Sequence, residues 1–102
     1  MAVREIDVVL SQLGIGTYEG LTAKPLKKLE DAVTRAVCLG INVIDTAPNY
    51  YLGKAEYAVA EALARLESDH GVSRSSIFLA TKVGNYRHPK EESQLSAFRR
   101  KW

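Results

Sequence analysis

Two rhythms of apolar residues alternate along this chain. Short runs dense in branched side chains come at Val8, Val9 and Leu10 with Leu13 and Ile15, again in "INVIDTA", and a third time in "SIFLATK". Runs of this length and composition predict buried strands. Between the first two, Leu29, Val33, Ala36 and Val37 recur at helical spacing, and Gly40 stands where a left-handed C-terminal cap belongs. From about Lys54, the positions Ala55, Val59, Ala62, Leu63 and Leu66 make the apolar face of a second helix, whose pattern dissolves near "SDHG". Gly14, Gly16 and Gly20 predict that the first strand gives way to a loop. The predicted order is strand, helix, strand, helix, strand, which is an α/β arrangement with a parallel sheet and right-handed crossovers. Residues 85–102 show no sustained apolar period, so the chain divides into an ordered part, 1–84, and a polar, basic tail.

Composition narrows the class. At 102 residues there is room for one small domain, and 25% charged residues beside 46% hydrophobic ones mark an ordinary globular chain. A net charge of +2 is too weak to point to nucleic acid, and the basic cluster Arg99, Arg100 and Lys101 beside Trp102 reads as a solvated terminus. Cys38 is the single cysteine, which excludes an intrachain disulfide and the metal sites built on paired cysteines. On its helix face it is expected to pack into the core. Arg4, Glu5 and Asp7 interrupt the place of a signal peptide's apolar run, and no segment nears the roughly 20 apolar residues of a membrane span. The expectation is a soluble, reduced, cytoplasmic chain with no membrane or nucleic-acid partner.

Parallel α/β folds gather function at the carboxyl ends of their strands. Thr17 and Tyr18 follow the first strand, Asp45 ends the second with Tyr50 in its loop, and Lys82 ends the third. Adjacent parallel strands lie about 5 Å apart, so these groups can meet in one pocket. A tyrosine hydroxyl, with its usual pKa of about 10, is a poor acid near neutrality. A neighbouring ammonium favours the phenolate and makes the phenol a better donor, while a carboxylate beside the ammonium keeps it charged and in place. Asp45, Tyr50 and Lys82 could thus protonate a developing alkoxide. Each also has an ordinary reading: Asp after a strand as a cap or turn residue, Lys at a strand end as a solvated charge. Glu56, in the first turn of the second helix, complements the helix dipole and reads as structural.

"LSQLGIGTYEG", "AVTRAVCLGINVIDTAPNYYLGKAEYAVAEAL" and "SRSSIFLATKVG" resemble, in order and spacing, the first part of the aldo-keto reductases. That family's pattern has a Leu-Gly-x-Gly-Thr strand, matched at Leu13 to Thr17, and a Gly-(Ile/Val)-Asn-x-(Phe/Ile)-Asp-Thr-Ala segment, matched at Gly40 to Ala47. A tyrosine five positions after the Asp, a Gly-x-(Ser/Ala)-Glu helix start and a Thr-Lys pair follow, here Tyr50, Gly53 to Glu56, and Thr81-Lys82. The likeness covers residues 8 to 84. It implies a partial (β/α)8 TIM barrel, the first three strands and two helices of one, acting as an oxidoreductase that uses NADPH to turn a small carbonyl substrate into an alcohol. It further implies Tyr50 as catalytic acid, Lys82 as its partner and Asp45 as the carboxylate holding the lysine. Gly16, Thr17 and Asp45 would lie near the nicotinamide and its ribose, and Tyr18 at the substrate mouth. Tyr51 is the competing phenol.

The chain departs from the pattern in its second half. The family's catalytic histidine ends the next strand, whereas His88 sits in the polar stretch "NYRHPKE" and His70 in the "SDHGVS" turn. Barrels of this kind take about 250 residues, so the expectation is a fragment with an open sheet edge, weakly active or inactive alone, or completed by another chain. A non-catalytic module using the same sheet for protein contact is the competing reading. A small doubly wound nucleotide-binding domain fits less well, since Gly14 and Gly16 lack a third glycine and lead into no immediate helix.

Overall fold

The computed structural model describes residues 8–18 and 26–84. Their order is β1 (Gly14–Gly16), α1 (Leu26–Cys38), β2 (Val43–Asp45), α2 (Ala55–His70) and β3 (Phe78–Ala80), with short 3-10 turns at Tyr50–Gly53 and Arg74–Ser76. The three strands form one parallel sheet in the order β1-β2-β3. Gly16, Asp45 and Ala80 stand in one cross-strand row at its carboxyl end. This is the predicted alternation, and it accords with the first part of a (β/α)8 barrel.

The strands are shorter than their apolar runs. Val9 and Leu13 are 91% and 70% exposed, and β1 is confined to the residues that face the three of β2. Ahead of the strands, Asn42 does the joining. Its side-chain oxygen accepts from the Ser11 amide at 2.8 Å, and its amide nitrogen donates to the Val9 and Ser76 carbonyls at 2.7 and 3.1 Å.

Side chains alternate across a strand, so each residue of β2 chooses a face. Ile44 points toward the helices and is fully buried, in one core with Leu29, Val33, Val37, Val59, Leu66 and Ile77. Val43 points the other way, toward Gly14, where an added Cβ would come within 3.2 Å of Val43 Cγ1. The buried apolar positions of α1, Leu29, Val33 and Val37, repeat every fourth residue and make one stripe, with Thr34 buried beside it. Those of α2 are mostly small, Ala55, Ala58 and Ala62, which lets this helix approach closely. Each large apolar side chain buried here contributes about 1.5–3 kcal/mol.

Both helices end on glycine with positive φ, Gly40 at 106° and Gly71 at 66°. After α2 the Val72 amide reaches back to the Leu66 carbonyl, closing the helix end in a Schellman pattern. His70 is therefore the last residue of α2 rather than part of a turn, though exposed as expected. Cys38 departs from expectation. It ends α1 one position after buried Val37, a rotation of about 100° off the apolar stripe, and is exposed. Between the helices, Arg65 donates to Asp31 at 2.7 Å and to Glu30 at 3.3 Å. Among the described residues no helix is long and apolar enough to cross a membrane. His88, Trp102 and the basic tail lie outside the described residues.

Candidate active site

The carboxyl end of the sheet brings the predicted groups together. Lys82, two residues past β3, turns its ammonium back across the sheet to Asp45, with Nζ at 3.1 and 3.0 Å from the two carboxylate oxygens. A third bond goes to the Thr46 carbonyl at 2.9 Å. The same Nζ lies 4.6 Å from the centroid of the Tyr50 ring, within the range of a cation–π contact. The Tyr50 phenol first, and the Asp45 carboxylate second, hold the Lys82 pKa above the ordinary lysine value. Both side chains of the ion pair are about half exposed. Exposed pairs of this kind stabilise a fold only slightly, so what the arrangement accomplishes is to fix a charged ammonium beside a phenol.

Tyr50 and Tyr51 are separated by the backbone. Tyr51 turns into the core at 4% exposure, whereas Tyr50 is half-buried against Lys82. The turn that parts them has Tyr51 at φ 56° and Leu52 at φ 57°, a left-handed conformation costing side-chain-bearing residues roughly 1–2 kcal/mol each. At the head of that turn the side-chain oxygen of Asn49 is buried with no hydrogen-bond partner among the described residues. Strain and an unmet acceptor in one loop are features that concentrate at functional sites.

Tyr18 stacks obliquely on Tyr50, ring centroids 5.1 Å apart and planes at 59°, and is itself 62% exposed. The two rings form one wall above the sheet end. Gly16 lies across from Asp45 in the register, and a Cβ built on it would meet nothing within 4 Å. Open space beside a carboxylate leaves room for a ring and a sugar hydroxyl, so these residues are compatible with a nicotinamide nucleoside. Thr17 is fully buried. Its hydroxyl lies 2.9 Å from that of Thr46 and donates to the Asp45 carbonyl at 3.1 Å, so this side chain joins β1 to β2.

Two participants escaped the sequence reading. The Thr46 carbonyl carries no signal in residue type, because it acts through the backbone. Glu56 was visible but assigned to the helix dipole alone. Its carboxylate in fact accepts from the Thr81 hydroxyl at 2.6 Å.

With this geometry in view, comparison with known proteins is decisive. The model of the Aldo/keto reductase family matches residues 12–101. The chain belongs to the aldo/keto reductase family. The match runs on past Gly84, where the recognisable motifs stop. Two proteins of Escherichia coli (strain K12) are similar to it. One, named NADH-specific methylglyoxal reductase, is 33% identical over 85 residues, which is 76% of this chain and 24% of that protein. The other, named methylglyoxal reductase YeaE, is 40% identical over 78 residues, 76% of this chain and 25% of that protein. The chain thus spans about a quarter of the length of these relatives.

Proposed function

We propose that this chain carries the proton-donating half of a carbonyl reductase site, with Tyr50 as the acid, Lys82 as its electrostatic partner and Asp45 as the group that holds Lys82. The observation that carries the reading is the Lys82 ammonium held between the Asp45 carboxylate and the Tyr50 ring. When a carbonyl is reduced, its oxygen gains negative charge and needs a proton. Tyr50 gives that proton from its hydroxyl, and the adjacent ammonium stabilises the phenolate left behind. Asp45 keeps the ammonium from swinging to solvent. A bound reduced nicotinamide would supply the hydride, resting near Gly16 and Asp45, with Thr17 holding the strand junction beneath it. Tyr18 and Tyr50 would bracket the substrate.

The relatives' names support a small carbonyl such as methylglyoxal as substrate. NADPH is the donor the family likeness implies. One relative's name specifies NADH, so both donors belong in the assay. A cytoplasmic setting accords with this reading, and activity of the 102-residue chain alone is expected to be low.

Single-turnover conditions suit a low rate. With the chain in excess over NADPH or NADH and methylglyoxal added, loss of nicotinamide absorbance is expected, and Tyr50→Phe is expected to slow it by about 100-fold or more. Conversion that Tyr50→Phe leaves unchanged would remove the tyrosine from its role. A stable complex with another protein in solution would favour the second reading, a module for protein contact. That reading has one specific support, an apolar cavity of about 250 Å³ beside β3 bordered by Val59, Leu63 and Leu79.

A further inference from the structure

Lys82 lies beyond the part of β3 that the sheet holds. The ladder of β2 and β3 ends at the pair Asp45 and Ala80, and a final backbone bond runs from the Thr46 amide to the Ala80 carbonyl at 2.8 Å. Among the described residues no backbone hydrogen bond secures Thr81 or Lys82, and both are exposed. What secures this step is a side chain from another element. Glu56, the second residue of α2, accepts from the Thr81 hydroxyl at 2.6 Å, across 25 positions of sequence. Its neighbour Ala55 is fully buried and anchors the start of α2 in the core. A carboxylate in the first turn often caps its own helix. Here Glu56 reaches sideways to the strand end instead. Successive side chains of an extended segment point to opposite sides, so tethering Thr81 toward the helix directs Lys82 toward Asp45 and Tyr50.

We propose that Glu56 is a positioning residue for Lys82, acting through the Thr81 hydroxyl to fix the strand end from which the ammonium reaches Asp45 and Tyr50. The inference rests on the reading of Lys82 as the partner of Tyr50. It adds a second task to a residue whose type and place already suit the helix dipole. Catalysis depends on such placement, because a charge displaced by about 1 Å from the reacting group loses much of its effect.

The test follows the titration of Lys82 by NMR of its side-chain Cε in the full chain, assigned through Lys82→Arg. Circular dichroism confirms that each variant keeps its helix content. Tyr50→Phe and Asp45→Asn each lower the Lys82 midpoint if the site is as described. Glu56→Ala and Thr81→Val lower it as well, because each removes one end of the tether. Thr81→Ser, which retains the hydroxyl, and Glu56→Gln, which retains an acceptor without the charge, keep most of the wild-type value.

A wild-type Lys82 that titrates like a free lysine would overturn the site itself. Lowering by Tyr50→Phe and Asp45→Asn, with no change in Glu56→Ala or Thr81→Val, would leave the site standing and overturn the positioning role. Equal lowering in Glu56→Gln and Glu56→Ala, with Thr81→Val unchanged, would also overturn it, since plain charge attraction would then account for the effect.

Discussion

The two faces of this three-stranded sheet obey different physics. On one, Ile44 disappears between α1 and α2 in a close-packed apolar cluster. On the other, and at the sheet's carboxyl end, Asp45 and Lys82 stand half exposed beside a tyrosine ring. Adjacent residues of one short strand thus meet opposite surroundings, Ile44 the apolar core and Asp45 the Lys82 ammonium. The difference teaches that stability and function here are nearly separable along the chain, alternating with the two-residue period of the strand. Separability has a measurable form, because mutations on one face should leave the other's property in place.

The largest effects should come from crossing the two faces. Tyr50→Phe is expected to remove most of any reductase rate while leaving the urea midpoint almost where it was, within about 0.5 kcal/mol, as for most substitutions at partly exposed positions. Ile44→Ala should do the reverse, removing about 2–5 kcal/mol of stability through lost burial and the cavity left behind. Equilibrium urea unfolding followed by circular dichroism measures both. A Tyr50→Phe chain destabilised as much as Ile44→Ala would break the comparison, because the phenol would then belong to the core.

The helix-covered face was the more legible one. Leu29, Val33 and Val37, and likewise Val59, Ala62 and Leu66, declare their burial by spacing alone, since a helix turns its side chains at a fixed angle. Asp45, Tyr50 and Lys82 were legible for another reason. Asp45 ends a strand and the other two follow one, and parallel strands bring their ends together. What spacing does not encode is a contact between backbone and side chain, such as Lys82 with the Thr46 carbonyl. Nor does it encode a lateral reach between elements such as Glu56 to Thr81. Cys38 failed for a geometric reason, because at a helix end one residue of rotation separates core from solvent. The left-handed pair Tyr51 and Leu52 also left no trace, since neither is the glycine or asparagine that would announce such a turn.

That turn offers a sharper view of the site face. Leu52 is 44% exposed yet sits at φ 57°, so its side chain contributes little burial against a backbone cost of roughly 1–2 kcal/mol. Leu52→Gly should relieve the cost and give back about 0.5–1 kcal/mol in chain entropy, leaving stability level or raised by up to about 1 kcal/mol. Leu52→Val, branched at Cβ, should lower stability by about 1 kcal/mol, because such residues tolerate this region least. Opposite signs in the two urea midpoints would confirm the strained turn. Equal losses in both would mean that Leu52 packs in solution and that the turn is ordinary.

The smallest effect expected is electrostatic, and its sign separates the faces once more. On the helix side, the Arg65 guanidinium first and the Lys27 ammonium next hold the Asp31 carboxyl below the usual carboxylate range. A depressed folded pKa contributes stability that is present above the unfolded value and is lost as pH falls through the folded one. The stability difference between wild type and Asp31→Asn should therefore be constant near neutrality and close only below about pH 4. On the site side, Lys82 is shifted upward, so its contribution is full below the ordinary lysine value of about 10.4 and fades as pH rises past the folded one. Chemical-denaturation midpoints taken across the pH range should show Asp31→Asn converging with wild type at the acid end, and Lys82→Met converging with it at the alkaline end. Both differences should shrink in about 1 M salt, where the screening length falls to about 3 Å. A Lys82→Met difference that persisted undiminished at the alkaline end would mean that the ammonium is held in place less firmly than its three hydrogen bonds imply.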